Sequence, residues 1–197
     1  MRELLLLAVS YLVGCVVGAY YIVRLTTGRD VRDLGSGNAG ARNVLRTVGK
    51  VAAGATLVFD TGKGAFVVWL AQRFVQHDAA AGLAFLMVVA GHIWPAQLGF
   101  RGGKGAATAL GCMLVIDPVA ALLALVLGGV VLLATRHVTA SGLSAVAAAP
   151  LMLGLRGAPL AATMTVTAAC AVVLLAHRRV ATPPRSIVPD AGTAPLP

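Results

Sequence analysis

This chain has very little charge. Asp, Glu, Lys and Arg make up 12% of its 197 residues, too few to cover a water-soluble domain of that length. Acidic side chains are fewer still, seven against sixteen basic ones, and no cluster of carboxylates or histidines shows metal-ligand spacing. No metal and no other cofactor is therefore expected. Aromatic residues amount to 5% and do not interleave with the basic ones, which excludes a nucleic-acid surface despite the net charge of +9. The three cysteines, Cys15, Cys112 and Cys170, lie inside apolar runs without metal or redox spacing and read as small buried hydrophobes. No polar linker divides the apolar part of the chain, and no fixed-period repeat is visible. What is abundant is apolar. With 58% hydrophobic residues and a mean hydropathy of +0.87, the expectation is an all-α, polytopic integral membrane protein.

Seven apolar stretches read as transmembrane helices: 4–23, 51–70, 79–99, 106–116, 119–135, 138–155 and 158–176. The first runs twenty residues without a charge, about what a hydrocarbon core of ~30 Å requires. It continues eight residues past Cys15, which argues for a span and against a cleaved leader. The fourth has eleven residues and makes a helix of only about 16 Å. Charge decides its status. Counted as a crossing, it leaves twelve Lys and Arg on one side and three on the other; merged with its neighbour, it leaves nine and six. The positive-inside rule selects the first arrangement, with the N-terminus outside, the C-terminus in the cytoplasm and the short helix packed within protein. A membrane domain over 1–180 and a proline-rich, disordered cytoplasmic tail over 181–197 follow.

Two short stretches beside these spans combine glycine with cations: GSGNAGARNVLRTVGK at 35–50 and LGFRGGKGAAT at 98–108. Glycines let a backbone turn several N–H groups toward one point, and neighbouring cations make that point attractive to phosphate. The first stretch matches G-x-G-x-x-G at Gly35, Gly37 and Gly40, but a membrane helix precedes it where a dinucleotide fold needs a strand. It keeps the hydroxyl of Ser36, the amides of Asn38 and Asn43, and then Arg42, Arg46 and Lys50; from Asn43 onward it reads as helix, which puts Arg42 and Arg46 one turn apart. In the second stretch three residues separate Gly99 from Gly103-Lys104, and Gly105 follows the lysine, so it is not a Walker loop. Arg101 and Lys104 supply its charge. Two such traps on one membrane face point to a phosphorylated substrate. Within the spans, His92 needs a partner or a task, and Asp60 and Lys63, three residues apart, read as an ion pair.

These motifs resemble those of the bacterial membrane glycerol-3-phosphate acyltransferases that use acyl phosphate, the PlsY family. GSGNAGARNVLRTVGK is similar to the family's first motif and AGHIWPAQLGFRGGKGAAT to its second; FDTGKGAF and TRHVTASGLSA also match, so the likeness runs to about residue 150. The resemblance implies seven helices in the plasma (inner) membrane and an active site open to the cytoplasm. It also implies acyl transfer from acyl phosphate to the 1-hydroxyl of sn-glycerol 3-phosphate, giving lysophosphatidic acid and phosphate. Carried over by position, Ser36, Gly37, Asn38, Gly40, Asn43 and Arg46 belong to the first motif, and His92, Pro95, Phe100, Gly102, Gly103, Lys104, Gly105 and Thr108 to the second.

The residue chemistry agrees with that implication. Two phosphorylated substrates bring roughly four negative charges, which Arg42, Arg46, Arg101 and Lys104 offset. Acyl phosphate has a good leaving group, so the protein needs mainly to position the hydroxyl and stabilise an oxyanion. No nucleophile elbow and no Cys–His pair is present, and no histidine is followed five residues later by aspartate. A substrate phosphate oxygen is the expected proton acceptor, with His177 second. We assign catalytic roles to Ser36, Arg46, Lys104 and His177, and substrate or phosphate binding to Gly35, Gly37, Asn38, Gly40, Arg42, Asn43, His92, Arg101, Gly102, Gly103, Gly105 and Thr108. The partners are the two substrates and membrane lipid. The family's third motif resembles HR-x-N-I, whereas His177-Arg178-Arg179-Val180 carries valine where asparagine is expected, and this touches acceptor binding. Two other readings stay open: a catalytically impaired relative, motivated by Val180, and an anion or phosphate-ester transporter, which requires midplane binding and repeat symmetry.

Overall fold

The computed structural model describes residues 1–75 and 77–178, and all regular structure among them is helical. Nine α-helices follow in order: α1 (Arg2–Cys15), α2 (Gly18–Thr27), α3 (Ala41–Thr47), α4 (Lys50–Phe74), α5 (Ala80–Ile93), α6 (Ala106–Ile116), α7 (Pro118–Thr135), α8 (Val138–Leu155) and α9 (Leu160–Arg178). Among the described residues six stretches are long and apolar enough to cross a membrane, with α1 and α2 together forming the first, and α6 is a shorter apolar helix. The expected tail over 181–197, and before it Arg179 and Val180 of the third motif, lie outside the described residues.

α5 is the most buried span, with Ala84, Phe85, Val88 and Val89 fully enclosed, and α1, α4 and α9 pack around it. α6 lies along α4, where Gly64 faces the carbonyl of Thr108 and Gly111 the carbonyl of Thr61; small residues let the two backbones close up, the usual means of helix association in lipid. α7 and α8 form a hairpin whose outer leucines, such as Leu133 and Leu155, are exposed as lipid-facing residues must be. Proline at the first position and the Asp117 side chain, which accepts from the N–H groups of Val119 and Ala120 at 3.0 and 2.9 Å, start α7.

The first span is not continuous. Its helix breaks at Val16 and Val17, which leaves carbonyls without helical partners in a region where water cannot supply them. Side chains from elsewhere do. Lys63 Nζ donates to Gly14 O at 3.1 Å and Val16 O at 2.8 Å, and Gln97 Nε2 to Cys15 O at 2.5 Å. Asp60 lies 3.0 Å from the same ammonium and accepts from the Gly18 N–H at 3.2 Å, so the expected ion pair is present and both ends of the break are tied. Both members are buried.

Candidate active site

The first glycine loop is braced from within. Asn43, buried on α3, accepts from Ser36 N at 3.0 Å through Oδ1 and donates through Nδ2 to Leu34 O at 2.9 Å and Val31 O at 3.3 Å. One amide therefore pins both arms of the turn. Gly35 has φ of 54°, and a Cβ there would sit 2.5 Å from that Asn43 oxygen, so glycine is required on both counts. Gly37 also has a left-handed φ, and Asn38 Nδ2 lies over Gly40. Ser36, Gly37, Asn38 and Gly40 keep partial exposure, while Arg42 and Arg46 are exposed on α3. Arg42 also contacts Thr139 Oγ1 at the start of α8, which brings the TRHVTASGLSA stretch to this face.

The second glycine loop folds back on the end of α5. Gly102 N donates to Ile93 O at 3.1 Å and Gly103 N to His92 O at 3.0 Å. Gly103 is enclosed: a Cβ there would overlap His92 Nε2 and come within 2.7 Å of Ala39 O. That position is one contact between the two motifs. Arg32 closes the contact from the other side, donating through Nη1 to Leu98 O at 2.6 Å, and Val31, Ala39, Val44 and Leu98 share one apolar cluster beneath it.

Arg32 was not legible as a site residue, because an arginine among other charged loop residues, here Arg29, Asp30 and Asp33, reads as solvated. Here it stacks over Tyr20 at 5.3 Å and pairs with Asp30, whose carboxylate also accepts from Arg32 N at 2.9 Å. Burial raises the Asp30 pKa, but the hydrogen bonds from the Arg32 side chain and backbone outweigh it and hold the carboxyl below its ordinary value. A lowered carboxylate stabilises the fold above its unfolded pKa of about 4, and that contribution disappears as pH falls through the folded value. Arg32→Met should therefore lower the unfolding temperature by a few degrees at neutral pH, about 1 kcal/mol, and the difference should narrow below about pH 4 in thermal scans in detergent, leaving the part due to the Leu98 carbonyl and Tyr20 contacts.

Lys104 is half-buried between Gly103 and the start of α6. A side chain at Gly105 would meet Val173 at 3.4 Å, so this loop touches α9 one turn before His177. His177 Nδ1 lies 2.8 Å from Val173 O; a carbonyl only accepts, so Nδ1 holds the proton and Nε2 keeps the lone pair of the neutral ring. Arg101 is exposed at the rim. Among the described residues Lys104, Arg101, Arg42 and Arg46 have no carboxylate partner. Five residues expected among the binding groups, Asn43, His92, Gly103, Gly105 and Thr108, are buried. Asn43 commits its amide to the loop, His92 lies behind Gly103, and the Thr108 hydroxyl, enclosed near the start of α6, has no hydrogen-bond partner in the structure. Among the described residues no group of three or more His, Cys, Asp or Glu could hold a metal.

The fold and these loops define a polytopic membrane protein in which two glycine-rich segments meet beside cations that, among the described residues, have no carboxylate partner. The chain belongs to the glycerol-3-phosphate acyltransferase family, whose sequence model matches residues 4–182. It is 43% identical over 153 residues to the glycerol-3-phosphate acyltransferase of Alkaliphilus metalliredigens, covering 78% of each chain. It is 40% identical over 179 residues to glycerol-3-phosphate acyltransferase 1 of Desulfitobacterium hafniense, covering 91% of this chain and 89% of that one. The structure is similar to the crystal structure of PlsY, an integral membrane glycerol 3-phosphate acyltransferase, in its glycerol 3-phosphate form, with a TM-score of 0.85, 32% identity and coverage of 90% and 89%. The lysophosphatidic acid form of that protein gives a TM-score of 0.83 at 30% identity, with the same coverage.

Proposed function

We propose that this protein transfers a fatty acyl group from acyl phosphate to the 1-hydroxyl of sn-glycerol 3-phosphate, an entry step of phospholipid synthesis. The observation that carries this reading is the junction of the two motifs at Ala39 and Gly103, next to Lys104. The hydroxyl oxygen attacks the acyl carbonyl carbon, the bond from that carbon to the phosphate oxygen breaks, and lysophosphatidic acid and inorganic phosphate leave. Lys104, Arg46 and the loop N–H groups offset the phosphates and the oxyanion, and Ser36 orients the acceptor. Arg42, Arg101 and the glycines of both loops hold the remaining phosphate charge. The hydroxyl proton passes to a phosphate oxygen; the free Nε2 lone pair of His177 supports that imidazole as the second acceptor.

We assign the catalytic domain to residues 1–180 and count α6 as a seventh crossing. The N-terminus then lies outside and the site opens to the cytoplasm of the inner membrane, the arrangement that gathers twelve Lys and Arg on one side against three. The test is direct. Purified protein in detergent should form lysophosphatidic acid from acyl phosphate and glycerol 3-phosphate, and none from acyl-CoA. Product from acyl-CoA alone would overturn the assigned donor, and no product from either would favour the impaired relative that Val180 suggests.

A further inference from the structure

We infer that Asp60, Lys63 and His92 are positioning residues for this reaction: through them the break in the first span sets the gap between the two glycine loops. The argument starts from what the break needs. Its carbonyls at Gly14, Cys15 and Val16 are satisfied by Lys63 and Gln97, and Asp60 neutralises the ammonium, so the helix requires nothing more. His92 is present in addition. Its Nδ1 lies 2.8 Å from Lys63 Nζ and 3.6 Å from Asp60 Oδ1, and all three side chains are buried.

An ammonium only donates, so Nδ1 accepts and the neutral ring carries its proton on Nε2. That edge of the ring is the one turned to Gly103, at the point where Ala39 O also approaches. The backbone of the same histidine holds the loop as well, because His92 O accepts from Gly103 N at 3.0 Å. Lys63 thus fixes the tautomer and rotation of a ring wedged under the seam between the motifs. An outward neighbour that only filled space would need neither the cation nor the polar edge. The assignment rests on the acyl-transfer reading for its kinetic consequence, while its structural consequence is independent of turnover.

The experiment compares His92→Asn, which keeps an acceptor near Nδ1 and loses the Nε2 edge, with His92→Gln, which carries an amide N–H near Nε2. In His92→Asn the KM values for acyl phosphate and glycerol 3-phosphate should rise together by about tenfold, the scale expected when a supporting group lets a site loosen. His92→Gln keeps the Nε2 edge but gives Lys63 no acceptor at the Nδ1 position, so both KM values should rise less, by about threefold. Loss of folded protein lowers the maximal rate at unchanged KM, so that pattern, or equal behaviour of the two variants, overturns the inference. A double variant, Asp60→Asn with Lys63→Met, removes the charges without stranding either one and should raise both KM values as His92→Asn does; wild-type KM values there also overturn it. Hydrogen exchange of peptides spanning 35–41 and 99–106 gives a reading without turnover. Exchange should quicken in both peptides for His92→Asn and less so for His92→Gln, and unchanged exchange in both variants counts against the inference even where the wild type forms product. If the wild type forms none, the acyl-transfer reading fails and the exchange data alone decide.

Discussion

Replacing Lys104 with alanine should reduce acyl transfer about 10²–10³-fold while the protein unfolds at its wild-type temperature in detergent. The size follows from the reaction. Both substrates are anionic and a further negative charge grows on the acyl oxygen in the transition state, so one preorganised cation at the junction contributes where charge develops. The unchanged stability follows from the surroundings, since among the described residues Lys104 pairs with no carboxylate and only half-buries its side chain. Lys104→Arg should recover only part of the rate, because a planar fork does not place its charge where a compact ammonium does. Ser36→Ala belongs with it. The loop is held by the Ser36 backbone N–H on Asn43 and not by the hydroxyl, so the turn survives and only the contact to substrate is lost. Near-wild-type turnover in both variants would remove the chemistry from this junction.

Much of the fold could be read from hydropathy because a bilayer leaves few options: backbone polar groups must be satisfied within the segment, so long apolar stretches become helices. Ala106–Ile116 and Val138–Leu155 end where the sequence predicts, the first stopped by Asp117 and Pro118, the second begun after Arg136 turns the chain with a φ of 58°. The break in the first span was not legible. Hydropathy averages over side chains and is blind to backbone continuity, and the groups that tolerate the break, Lys63 and Gln97, lie far along the chain. Asp60 and Lys63 could be paired because three residues put them on one helix face; the addition of His92, from another helix, could not. The same limit hid Arg32, whose partner is a backbone carbonyl at Leu98. Composition marked the two glycine loops, but not which of their residues face outward. Asn43 and Ser36 are both polar and seven residues apart, and only the path of the turn makes one a brace and leaves the other partly exposed.

Gly103→Val should cost more than any other single change in the second loop, abolishing measurable acyl transfer and lowering stability by about 1–3 kcal/mol. The position has no room. Its first added carbon would overlap His92 Nε2 and stand 2.7 Å from Ala39 O, and neither neighbour yields cheaply, because one is backbone and the other a ring held by Lys63. The chain must therefore part at the seam, moving Gly102 and Gly103 off the carbonyls of Ile93 and His92 and carrying Lys104 away from the first motif. Gly103→Ala should show the same defect in milder form. Gly129→Ala, on α7 with nothing near its Cβ, is the matched control and should leave rate and unfolding temperature unchanged or slightly improved, since alanine favours helix over glycine by about 1 kcal/mol. The comparison is made by turnover and thermal unfolding of the three purified variants. A Gly103→Val protein that retains wild-type rate would mean that contact between the two motifs is not where the substrates react.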